Sequence, residues 1–78
     1  MHLFILEIGN DDLDAQSTEV EFEGSIQEFK ESCEKEINES EFLTLIGSAF
    51  TYGNNGILIE YYSKRMEKTI KRYITIRI

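Results

Sequence analysis

A single cysteine, Cys33, and a single histidine, His2, leave this sequence without the parts that most small catalytic or metal-bound folds use. One cysteine forms no intramolecular disulfide, so nothing asks for an oxidising compartment and a cytoplasmic location is the expectation. A histidine-dependent triad or a multi-histidine metal site has too few members. Also absent are G-x-x-x-x-G-K followed by Ser or Thr, G-x-G-x-x-G, C-x-x-C and G-x-S-x-G. No cofactor is implied, and the expectation is a protein that is not an enzyme. Long apolar runs are missing as well. The opening MHLFILEI has no basic leader and meets Glu7 too soon for a signal core or a membrane-spanning helix, so no membrane segment is expected.

Two further candidates for chemistry dissolve on inspection. Cys33 falls in the apolar stripe of an expected helix, where it acts as a small hydrophobe. The segment NDDLD, residues 10–14, is similar to part of a calcium loop but lacks the turn Gly and the terminal Glu, so it reads as a solvated turn and no metal is expected.

What is present is periodicity. With 78 residues the chain supports one small core, so residues 1–78 are read as a single domain. HLFILEI is a nearly continuous apolar run of the kind found in a central strand. TEVEFEG alternates Thr18, Val20 and Phe22 with Glu19, Glu21 and Glu23, which is the period of a half-buried strand. The period then changes: Ile26, Phe29, Cys33 and Ile37 lie three and four apart, and Ser25 with Glu28 forms a capping box, so a helix is expected over 26–38. EFLTLIG is expected to extend the next strand, bent at Gly47, with a short helix as the other reading.

The last third reads as a meander. Asn54, Asn55 and Gly56 separate SAFTY from ILIEYY as a hairpin signal, with Phe50 and Tyr52 on the face of Ile57, Ile59 and Tyr61. A second hairpin with its loop at 65–68 sets Lys64 against Thr69, Ser63 against Ile70, Ile59 against Ile74 and Ile57 against Ile76. That register places Arg72 opposite Tyr61, among isoleucines. The fold expected is α+β, in the order ββαβββ: an antiparallel sheet of about five strands with one amphipathic helix on one face. The other face would carry Tyr62 with Lys71, Glu60 with Tyr73 and Leu58 with Thr75, plus either Leu3 and Ile5 or Phe4 and Leu6.

Charge is divided along the chain. The formal net charge is -7, yet residues 1–41 alone carry 13 carboxylates against Lys30 and Lys35, while residues 42–78 carry six cations against Glu60 and Glu67. An acidic half steers toward basic partners and away from nucleic acid or anionic lipid. The acidic surface, Glu19, Glu21, Glu23, Glu28, Glu31 and Glu34, is therefore the first candidate for binding a basic or nucleic-acid-handling protein. In size and charge the chain is similar in general character to immunity proteins, antitoxins and phage-encoded inhibitors of host defence. The alternative is a nucleotide or nucleic-acid site at Lys64, Arg65, Lys68 and Lys71, which the negative global charge opposes. A homodimer is also expected, through Leu58, Tyr62 and Tyr73 on the uncovered face and a free edge on the last strand.

Overall fold

The helix starts where the capping box sets it. Ser25 Oγ accepts from the backbone N–H of Glu28 at 3.1 Å and the Glu28 carboxylate accepts from the Ser25 N–H at 3.1 Å, so two of the unpaired donors at a helix start are satisfied by local side chains. In this computed structural model, which describes residues 1–9, 15–51, 53 and 55–77, that helix is α1, Ile26–Glu39. The strands are β1 (His2–Ile8), β2 (Gln16–Glu21), β3 (Leu43–Thr51), β4 (Gly56–Ser63) and β5 (Lys68–Arg77). They form one antiparallel sheet in the order β2-β1-β5-β4-β3, with α1 on one face. The expected α+β architecture and its ββαβββ order are the observed ones.

The core lies between α1 and that face. Cys33 and Ile37 from the helix meet Leu3, Ile57, Ile59, Tyr61, Ile70 and Ile74 from the sheet, all buried. Phe22 and Phe29 close one end of it edge to face, with ring centroids 5.0 Å apart. EFLTLIG is strand from Leu43 onward, and its register shifts between Leu45 and Gly47, so the bend expected at Gly47 is a β-bulge. The uncovered face takes the Phe4 and Leu6 set from β1, since Leu3 is buried and Ile5 packs on the core. Among the described residues no helix is long and apolar enough to cross a membrane. The NDDLD turn, Tyr52, and Asn54 of the first hairpin signal lie outside the described residues.

Two expectations are corrected. The second hairpin is displaced by two residues: its loop is 64–67, so Ser63 faces Lys68, Tyr61 faces Ile70, Ile59 faces Arg72 and Ile57 faces Ile74. On the other face Tyr62 meets Thr69, Glu60 meets Lys71 and Leu58 meets Tyr73. Because the side-chain period is two, this slip leaves every residue on its expected face. The turn chemistry selects it: Ser63 Oγ accepts from the Met66 N–H at 3.2 Å, and Glu67 takes φ 54°, the left-handed conformation that closes the loop. The second correction concerns the edge. β5 is not a free strand but lies between β1 and β4, and the edges are β2 and β3.

Removing the cap tests the helix start. Ser25→Ala leaves the Glu28 N–H unpaired and is expected to destabilise by ~1 kcal/mol. In a domain of this size that lowers Tm by about 4–8 °C, read by thermal unfolding followed by circular dichroism.

Candidate functional site

Arg72 stands on the helix-facing side of β5, between Glu7 of β1 and Ile59 of β4. A guanidinium set among isoleucines must find a counter-charge, because an unpaired ion there is costly. It finds Glu7: Arg72 Nε lies 3.4 Å from Glu7 Oε2, an ion pair without hydrogen-bond alignment. The Tyr61 hydroxyl donates to the same Glu7 oxygen at 2.5 Å, and the guanidinium lies 5.4 Å from the Tyr61 ring centroid. Burial works against the Arg72 charge, and Glu7, Tyr61 and Cys33 more than offset it, so its pKa lies above the ordinary value.

The same surroundings quench the nucleophiles. Burial, then the hydrogen bond to Glu7 and the Glu7 charge, push the Tyr61 phenol up to about 12. Burial also pushes the Cys33 thiol up. Both groups therefore keep their protons at neutral pH, and neither is an activated nucleophile or base. Beside the cluster, a cleft of about 230 Å³ is lined by Glu7, Gln16, Tyr61, Met66, Lys68 and Ile70 together with Gly9. Among the described residues no group of three or more His, Cys, Asp or Glu side chains is placed to hold a metal ion.

The acidic residues fall on two faces. Val20 packs on the core, so Glu19 and Glu21 of β2 point to the opposite side of the sheet from α1. There they are partly neutralised. Glu21 Oε1 lies 2.6 Å from His2 Nδ1 and its Oε2 lies 3.6 Å from the N-terminal ammonium, while Glu19 lies 3.4 Å from His2 Nε2 and 3.7 Å from Arg77. The His2 hydrogen bond, with help from the terminal ammonium, holds the Glu21 carboxyl below its ordinary range. On α1, Glu28 is committed to the cap and Glu34 to Lys30 at 3.0 Å. Glu31 accepts only from the Gln27 amide at 3.2 Å. Glu23 is exposed in the turn before the helix.

The basic residues diverge. Arg65 stacks on the Phe42 ring, 4.0 Å from its centroid. Lys68 shares the helix-facing side with Ile70 and Arg72 and reaches over Gly9, whereas Lys71 points to the other face beside Glu60. Lys64 is exposed at the loop. Tyr62 and Tyr73 are exposed on the uncovered face, with Leu58 half-buried opposite Tyr73 and the pair Glu60 and Lys71 separating them from Tyr62. The residue that sequence reasoning left out is Glu7, and the signal was present: it is the one carboxylate inside an apolar central strand, and Arg72 is the cation flanked by isoleucines, Ile70 and Ile74, on its own face of β5.

Two measurements probe the cluster. Arg72→Leu leaves Glu7 without its cation and is expected to cost about 2–3 kcal/mol, less than the roughly 3–5 of a fully buried pair, because Glu7 keeps 35% of its side chain exposed. Glu7→Leu combined with Arg72→Leu is expected to recover most of that loss in chemical denaturation, since no charge is then stranded. Tyr61 supplies a pH signature. Its folded pKa near 12 exceeds the ordinary 10, so its contribution is complete below pH 10 and is lost as pH rises through 12. The stability gap between the native chain and Tyr61→Phe is expected to shrink across that window.

Comparison with known proteins finds no matching family model, no matching curated protein and no matching solved structure, so the function is read from the residues of this chain alone.

Proposed function

We propose that this chain is a non-catalytic protein-binding module of the inhibitor type, presenting an acidic surface to a basic or nucleic-acid-handling protein. One observation carries the reading: the cations are mostly spent inside the molecule while a set of carboxylates is not. Arg72 is held by Glu7, Arg77 by Glu19 and the Phe4 ring, Lys30 by Glu34, Lys35 loosely by Glu39, and Arg65 lies on Phe42. Glu23, Glu31, Glu36 and Glu41 are exposed and have no cation partner among the described residues. The outward field is therefore negative, which speeds encounter with a basic surface and selects for it. Burial leaves Tyr61 and Cys33 protonated at neutral pH, so neither is an activated nucleophile beside the proposed docking face.

The six carboxylates expected to act together separate into two surfaces, and the helix surface around Glu31 is the better docking face. Glu19 and Glu21 already answer to His2, Arg77 and the terminal ammonium. The phosphate-binding alternative has less support for a related reason: Lys68 and Lys71 point to opposite faces, so the four residues Lys64, Arg65, Lys68 and Lys71 do not form one patch.

Affinity capture from the source organism, followed by kinetics on the purified pair, tests the reading. A basic protein is expected whose association rate falls with added salt, and falls about tenfold or more on Glu31→Lys combined with Glu28→Gln. The glutamine keeps the capping box intact, so lost binding is not lost helix. Capture of no protein, or of one indifferent to these charges, overturns the proposal. Salt-dependent binding of single-stranded RNA or DNA that weakens on Lys68→Glu would favour the alternative instead.

A further inference from the structure

The two sheet edges are unlike. β2 carries Glu19 and Glu21, the usual guard against edge-to-edge pairing. β3 has the sequence LTLIGSAFT and holds no ionisable side chain over its nine residues. In place of charge it carries the bulge between Leu45 and Gly47. Among the described residues, three of the six exposed large hydrophobics are on this strand or next to it: Phe42 at 42%, Ile46 at 55% and Phe50 at 36% exposure.

We infer that β3 is the docking edge for a second copy of this chain, which adds its own β3 antiparallel across a two-fold axis near Ala49. Charge selects the place, and symmetry selects the occupant. Two chains of net charge -7 repel wherever their carboxylates meet, and β3 is the edge at which the strands approach without opposing carboxylates. An antiparallel edge is complementary to itself: with Ala49 on the axis, Gly47 faces Thr51 and Ser48 faces Phe50 of the other copy.

The helix strengthens the match. α1 lies over β3, with Lys30 Nζ 5.3 Å from the Phe50 ring centroid and 3.0 Å from Glu34. The side of α1 above the edge thus offers one cation and one anion four residues apart. Two-fold symmetry runs the second helix antiparallel to the first, and a helix side that carries both signs opposes its own copy with less repulsion than a side of carboxylates alone. Pairing also takes the unpaired backbone groups of β3 out of water as hydrogen-bonded partners and covers Phe50. The dimer leaves Glu31 of each copy facing solvent, so self-association and the acidic docking face are separate properties.

Sedimentation equilibrium over micromolar to near-millimolar concentration, on the native chain and three variants, decides it. Expected are a dimer for the native chain, a dissociation constant raised about tenfold or more by Ala49→Lys or by Ile46→Lys, and no change on Tyr73→Glu. Ala49 and Ile46 are exposed, and far-UV circular dichroism checks that both variants stay folded. The β3 amides are expected to exchange with deuterium more slowly as concentration rises. A native chain that is monomeric throughout overturns the inference. So does a dimer that survives both lysine variants, or one lost on Tyr73→Glu, which would place the contact on the uncovered face.

Discussion

The pairing of Arg72 with Glu7 constrains the centre of the sheet. These two residues lie on adjacent strands, β5 and β1, that are far apart in sequence, and their contact fixes which residue faces which across that ladder. A slip of two residues keeps every side chain on its face but sets Arg72 against Ile5 or Gly9, leaving a cation and a carboxylate unpaired in a half-buried layer. Apolar packing alone does not reject such a slip, because isoleucine against isoleucine is much the same in either register. The charge pair rejects it. Tyr61 then ties β4 into the same arrangement through its hydrogen bond to Glu7, so three strands are aligned by one carboxylate.

Around that centre the layers are unequal. One fourteen-residue helix covers one face of five strands, and it lies chiefly over β3 and β4. β2 is left exposed along most of its length, and its carboxylates are steadied by His2, Arg77 and the terminal ammonium rather than by packing. The uncovered face keeps Tyr62 and Tyr73 partly in water. A core of eight buried hydrophobic residues among the described ones is small, and small domains of this kind gain stability from association. The bare β3 edge lies beside α1, and association at that edge would supply burial that so small a core lacks.

Charge follows the same logic of use and surplus. The basic end of the sequence looks like a patch when read as a string, but alternation sends Lys68 and Arg72 to one side and Lys71 and Arg77 to the other. Most of these cations are absorbed by neighbours on the same molecule. What reaches solvent without a counter-ion is mainly carboxylate.

The elements and their faces were legible in the local sequence. The shift from period two to period 3.6 between Phe22 and Ile26, the Ser25 and Glu28 capping box, and the alternation of Ile57, Ile59 and Tyr61 are local properties that a segment expresses wherever it ends up. Expectations resting on them, including the bend at Gly47, match the fold. Tertiary structure alone decided the strand order, the hairpin register and the grouping of charges. The two-residue displacement of the last hairpin was illegible because both registers keep the same faces, and the choice fell to the left-handed Glu67, the Ser63 hydroxyl and the distant Glu7. The interior position of β5 was illegible because it depends on β1 pairing with a strand more than sixty residues away. Periodicity reports which side of a strand is buried, and it carries no information about which strand lies beside it.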